Sequence, residues 1–210
     1  MDLASPDVLR HLRAADPVMA GLIERAPPCR FDIDPMQSPY QALFESIVYQ
    51  QLSGKAAATI LGRVVASFPG RGFPRPEAVL AAPDEQLRGA GLSRAKTAAV
   101  KDLAAKAQQG HVPGLAKLAR MDDDAIVEHL TAIRGIGRWT VEMMLIFRLG
   151  RPDVLPVHDY GVRNGFRLAY RKRALPTPTQ LAKHGERWRP WRTAATWYLW
   201  RAVELAKTPK

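Results

Sequence analysis

Apolar residues in this chain return with helical spacing in one segment after another, and that period decides the fold class before any motif is considered. Ser38-Pro39 is a capping serine followed by proline at a first helical position, and Tyr40, Leu43, Phe44, Ile47 and Val48 then recur along one face. Ile60, Leu61, Val64, Val65 and Phe68 repeat the stripe until Pro69-Gly70 stops it. Both segments read as core-facing helices. Ser93 opens a third, with Val100, Leu103, Ala104 and Ala107 on one face and Gly110 as its stop. Asp122 to Asp124 start a fourth, whose apolar face is Ile126, Val127, Leu130 and Ile133. Thr177 to Glu186 and Trp191 to Ala206 read as two more. Runs of alternating β-branched residues are lacking, so the sequence predicts an all-α fold. The Pro- and Gly-rich stretches at 69–76, 110–114 and 150–156 are its connections.

A chain of 210 residues suits one compact unit or two small lobes and can bury a real core. The single cysteine, Cys29, leaves no partner for a disulfide framework, a four-cysteine zinc site or a four-cysteine iron–sulfur cluster within one chain, and it fits a reducing cytosol. The first residues, MDLASPDVLRHLRAADPVM, hold no long apolar run, and no segment reaches the roughly 20 apolar residues of a membrane span. A soluble cytoplasmic protein without a membrane partner is expected. Net charge is +11, unevenly placed: residues 151–210 hold 13 Lys/Arg against 4 Asp/Glu. A basic third of this kind is the footprint of a polyanion, nucleic acid before membrane; a merely solvated basic surface is the alternative.

The stretch LTAIRGIGRW, residues 130–139, puts only Arg134-Gly135-Ile136-Gly137 between two helices. Glycines permit positive φ and close approach of a backbone or a phosphate. The helix start after them presents unpaired N–H groups and the positive end of its dipole, which together make an anion site. An ordinary helix-to-helix turn would have the same outline.

LTAIRGIGRWTVEMMLIF followed by DVLPVHDYGVRNGF resembles the helix-hairpin-helix, Gly/Pro-Asp signature of the base-excision DNA glycosylases. SIVYQQLSGKAAATI at 46–60 and ERWRPWRTAATWYLWRA at 186–202 resemble the alkylation-repair branch, the 3-methyladenine DNA glycosylase II type. The likeness spans roughly residues 35 to 205. It implies a two-lobed helical fold with the active-site cleft between the lobes: one domain over 40–150 containing the hairpin, the other formed by 1–39 and 151–210. Bifunctional relatives of the endonuclease type carry a lysine directly after the hairpin, where it attacks the sugar as a Schiff-base nucleophile. Trp139 stands at that position here, which implies a monofunctional enzyme that uses water. The β-rich N-terminal domain of some members of the branch finds no room before residue 35, so a minimal version is expected.

The resemblance also implies roles. Asp159 takes the catalytic position, where a carboxylate stabilises the oxocarbenium-like transition state and orients or deprotonates water. Asp159 is equally suited to cap a helix from Tyr160 to Tyr170, and the two uses are compatible. His158 beside it reads as a neutral, partly exposed side chain. Trp139, Tyr160 and Trp200 match the base pocket, with Met143 where some relatives have a pocket tyrosine; Trp191 and Trp197 read as core. Arg134, Gly135, Ile136, Gly137 and Arg138 form the DNA-binding hairpin. Within YQQLS, Gln51 is the aligned wedge for the gap left by a flipped base and Leu52 the better intercalator by chemistry, unless Leu52 continues the apolar stripe of Val48. Carbonyls of Thr131, Ile133 and Ile136 match a structural monovalent cation site. No cofactor is expected for catalysis. The partner is duplex DNA containing alkylated bases, bound by a monomer and, in a bacterium, at the nucleoid. The rival readings are a non-catalytic helix-hairpin-helix DNA-binding protein and a glycosylase for oxidised or mismatched bases.

Overall fold

The structure is a computed structural model that describes residues 3–34, 36 and 38–207. Its elements run α1 (Pro6–Ala15), α2 (Pro17–Arg25), α3 (Pro39–Tyr49), α4 (Gly54–Ala66), α5 (Pro76–Ala81), α6 (Asp84–Gly89) and α7 (Arg94–Gln108). They continue with α8 (Leu115–Leu118), α9 (Asp123–Thr131), α10 (Arg138–Phe147), α11 (Tyr160–Ala169), α12 (Pro178–Gly185), a 3-10 turn (Glu186–Trp188) and α13 (Arg192–Leu205). Among the described residues there is no strand, as the apolar period requires. None of these helices is long and apolar enough to cross a membrane. Packing divides the chain into two compact units, Met36–Val141 and Met1–Pro35 with Glu142–Lys210.

The helix starts lie where capping chemistry places them. Ser38, Ser53 and Ser93 each accept the backbone N–H three residues on, and Thr177 with Gln180 forms a reciprocal capping box. Helices α1 and α2 are further elements of the fold, and Ser5-Pro6 and Asp16-Pro17 carry the same cap-then-proline sign as Ser38-Pro39. Their apolar faces hold only a few residues each, with Val8 and Leu12 buried on α1 and Met19, Leu22 and Ile23 on α2.

In the unit Met36–Val141, α7 packs against α3, α5 and α6. Leu43, Phe44, Ile47, Val100 and Leu103 are fully buried, each contributing about 1.5–3 kcal/mol from burial alone. Helix α4 corrects the core-facing stripe expected for it. It packs against α3 with Ala57 and Val64 covered, while Ile60, Leu61, Val65 and Phe68 are only half-buried.

In the other unit, α13 is buried almost all round, from Thr193 through Leu199 and again at Ala202, as befits a central helix. Helix α11 lies directly on it, and Gly165 marks the crossing: a Cβ built there would stand 1.9 Å from the carbonyl oxygen of Leu199. A buried carboxylate organises the same core. Oδ1 of Asp16 caps α2 through the N–H groups of Val18 (3.0 Å) and Met19 (3.3 Å). Oδ2 accepts the Tyr170 hydroxyl and the Trp188 indole N–H, and pairs with Nε2 of His184. Desolvation pushes this carboxyl up, but the bonds from His184, Tyr170, Met19 and Trp188 outweigh it and hold the group well below the usual carboxylate range.

Candidate active site

The hairpin is held from below by side chains far away in sequence. Ile133 and Ile136 are buried and plug the turn into the core, so Ile136 can offer a ligand only its main chain. The backbone N–H of Arg134 donates to Oδ2 of Asp102 on α7 at 2.7 Å. Lys106, one turn along, donates to the same oxygen and to the carbonyl of Ala132. Burial pushes the Asp102 carboxyl up, but Lys106 and the Arg134 N–H outweigh it and hold it below its ordinary value.

The two hairpin glycines do different work. Gly135 has φ +81, and a Cβ there would lie 3.0 Å from that of Ala99, so conformation and packing both demand glycine. Gly137 lies outside the left-handed region, and a Cβ added to it meets nothing within 4 Å. Arg134, Gly135, Gly137, Arg138 and Trp139 are all exposed around the N-terminus of α10. Arg138 has Asp124 at 3.5 Å, a solvent-exposed pair of small energetic weight.

The candidate wedge loop belongs to the same assembly. Gln50 donates through Nε2 to the carbonyl of Gly135 at 2.8 Å, joining the loop after α3 to the hairpin. Lys96 donates to the carbonyls of Val48 and Gln50, each at 2.7 Å, and burial lowers its pKa. Directly after these anchors Gln51 adopts φ +58, which costs a non-glycine residue on the order of 1 kcal/mol. Leu52 is 39 % exposed whereas Val48 is fully buried, so Leu52 leaves the apolar stripe rather than continuing it.

Within the other unit, Asp159 stands at the N-terminus of α11. Its Oδ1 accepts the N–H of Val162 at 2.7 Å and the indole Nε1–H of Trp200 at 3.0 Å. The helix-cap use therefore exists beside any catalytic one. Trp200 is half-buried on α13 and stacks on Phe147, while Met143 is half-buried on α10 and His158 is exposed. Tyr160 is 68 % exposed in this unit, and Trp139 is 50 % exposed in its own.

The segment 186–192 has a visible job. Asp153 takes Nε of Arg192 at 2.7 Å and Nη1 of Arg189 at 2.6 Å. Thr193 donates to the carbonyl of Arg151 and accepts the N–H of Val154, so the start of α13 is laced to the loop that leads to Asp159. Asp153, Lys96, Gln50, Asp102, Lys106 and Phe147 are silent in the sequence, because none lies in a local pattern that announces its distant partner.

Residues 44–190 match the model of the HhH-GPD superfamily of base excision DNA repair proteins. The chain belongs to this superfamily. It is 40 % identical over 174 residues to DNA-3-methyladenine glycosylase 1 of Schizosaccharomyces pombe, covering 83 % of this chain and 76 % of that protein. The solved 3-methyladenine DNA glycosylase of S. pombe in complex with abasic DNA is similar with a TM-score of 0.78 at 36 % identity, covering 97 % of this chain and 100 % of that one. A DNA-3-methyladenine glycosidase from Bacillus halodurans is similar with a TM-score of 0.85 at 36 % identity, covering 99 % and 94 %. The matched span contains the hairpin, the 151–156 loop and Asp159.

Proposed function

We propose that this chain is a monofunctional DNA glycosylase, a monomer that binds duplex DNA and hydrolyses the bond between deoxyribose and an alkylated purine of the 3-methyladenine or 7-methylguanine type. The observation that carries the reading is Asp159, a half-buried carboxylate held by N–H donors from Val162 and Trp200, at the position where the Gly/Pro-Asp resemblance implies the catalytic aspartate. The names borne by the similar glycosylases support the lesion class.

The chemistry follows from charge. Departure of the base leaves positive charge on the sugar, and a fixed carboxylate lowers the barrier without having to reorganise. Asp159 also orients the water that attacks C1′ and takes its proton, leaving an abasic site in an intact strand. An alkylated purine already carries positive charge, so it departs without a strong general acid. The faces of Trp139, Tyr160 and Trp200 favour it over a neutral base by about 0.5–2 kcal/mol. Met143 is assigned to contact with the base as well, and Gln51 or Leu52 fills the gap in the duplex. Phosphate sits on the N–H groups at the start of α10, flanked by Arg134 and Arg138. The carbonyls of Thr131, Ile133 and Ile136 would hold a monovalent cation there. Ile133 already accepts the N–H of Ile136 at 3.0 Å, yet a carbonyl oxygen keeps a second lone pair, so the donor set fits a hard, weakly bound ion.

Incubated with methylated duplex DNA, the wild type is expected to release 3-methyladenine and 7-methylguanine and to leave no borohydride-stable adduct. A trapped adduct would overturn the monofunctional assignment. No release of either base would leave the non-catalytic DNA-binding reading standing.

Gly137→Asp probes the hairpin cleanly, because the new Cβ meets nothing and aspartate is a favourable residue just before a helix. It should weaken binding to lesion-bearing and undamaged duplex alike and lower the salt slope by about 0.9 for each phosphate that the hairpin no longer neutralises. Trp139→Ala should leave undamaged-duplex affinity and slope nearly intact while reducing excision. Affinity measured against salt concentration for both variants checks this. Equal losses would make Trp139 a prop of the hairpin rather than part of the pocket.

A further inference from the structure

Oδ1 of Asp159 receives two donors of different origin. One is the N–H of Val162 at 2.7 Å, in the first turn of the helix that Asp159 caps. The other is the indole N–H of Trp200 at 3.0 Å, from α13. The cap bond and the indole bond reach the same oxygen from two separate helices, and together they restrict where Oδ1 can move.

The indole is itself held. Phe147, the last residue of α10, stacks on it with ring centroids 5.9 Å apart and planes 16° from parallel. Phe147 is anchored in turn, since its carbonyl accepts the N–H of Asp34 at 3.1 Å and its ring packs on Phe31 at 5.9 Å. Room for the bond is made by a missing side chain. A Cβ built on Gly161 would lie 3.1 Å from Oδ1 of Asp159, 3.1 Å from Cδ1 of Trp200 and 3.3 Å from its Nε1. Its φ is not in the left-handed region, so space rather than conformation is what a side chain there would violate.

We infer that Trp200 is a positioning residue for Asp159, holding the carboxylate through its indole N–H, with Phe147 clamping the indole and Gly161 leaving the space in which the bond forms. The inference rests on the glycosylase reading and deepens it, adding to the ring face of Trp200 a second task at its edge. A carboxylate that stabilises a transient cation acts through its placement, so a donor that removes its freedom acts on the chemical step rather than on DNA affinity.

The test is single-turnover release from a duplex carrying one 7-methylguanine, measured for Trp200→Phe, Gly161→Ala and the double variant. Trp200→Phe keeps an aromatic ring for the base but loses the indole N–H together with the pyrrole edge, so Gly161→Ala, which leaves the indole intact, is the control for the lost ring area. The maximal rate of Trp200→Phe should fall about 10-fold, the size expected for one hydrogen bond to a charged group, with half-saturation for the duplex within about 2-fold of wild type. Gly161→Ala should give the same split by pushing indole and carboxylate apart by tenths of an ångström. Because both changes remove one restraint, the double variant should lose little more than the worse single. A second readout needs no turnover. The indole N–H resonance that disappears in Trp200→Phe should be the one most displaced by Asp159→Asn.

A maximal rate for Trp200→Phe within about 2-fold of wild type would overturn the inference, as would additive losses or an unmoved indole resonance. If the wild type releases no methylated base although the resonance shifts, the glycosylase reading has failed and the positioning role falls with it, while the contact itself stands.

Discussion

Asp159→Asn is expected to lower release of methylated purines by about 10²-fold or more while leaving the fold and duplex affinity near those of the wild type. The geometry makes this a clean experiment. Asparagine retains an oxygen at the position of Oδ1, so the N–H groups of Val162 and Trp200 keep their acceptor and α11 keeps its cap. The formal negative charge is what disappears, together with the ability to take a proton from water. A loss confined to the maximal rate, with unchanged half-saturation and an unchanged melting temperature, is the signature of an interaction made chiefly in the transition state. Asp159→Ala would be a poorer probe, since it also removes the cap, at about 1 kcal/mol, and orphans the indole N–H. Near-normal release by the asparagine variant would take Asp159 out of the catalytic role.

What the sequence disclosed and what it hid divide along a physical line. Helix starts at Ser38, Ser93 and Thr177 were legible because capping acts over three residues, and the all-α class followed from the stripes that those caps initiate. Asp159 and the hairpin were legible as a motif. The clamp beneath the hairpin was not: Gln50 reaches Gly135 across 85 residues and Asp102 reaches Arg134 across 32, and no local pattern encodes such a meeting. Leu52 was ambiguous because a residue four positions after Val48 belongs to the same face only if the helix continues, and α3 ends at Tyr49. The buried stripe of α4 is narrower than its apolar spacing predicts for a related reason. Sequence shows which residues could be buried, while tertiary packing decides how many are, and on α4 only Ala57 and Val64 are.

Glycines hide most. Gly165→Ala adds one methyl group in the middle of a helix, where alanine is normally favoured over glycine by about 1 kcal/mol, so propensity alone forecasts a gain. The structure forecasts the reverse. The new Cβ would stand 1.9 Å from the carbonyl oxygen of Leu199 and 2.6 Å from its carbon, and neither atom can turn aside as a flexible side chain would. Helices α11 and α13 would have to separate by roughly an ångström or more along a face that buries Val162, Phe166, Ala195 and Leu199. Overpacking a core typically costs about 1–3 kcal/mol, and a backbone-on-backbone clash should exceed that, reaching about 4 kcal/mol or more of a marginal total. Asp159 heads α11 and Trp200 rides on α13, so the separation would also break the bond between them. The expected result is a fall of many degrees in melting temperature, with loss of base release even below the melting point. Thermal unfolding followed by circular dichroism, with excision measured at low temperature, checks both parts. A Gly165→Ala protein as stable and as active as wild type would show that the two helices do not meet as closely as this crossing requires.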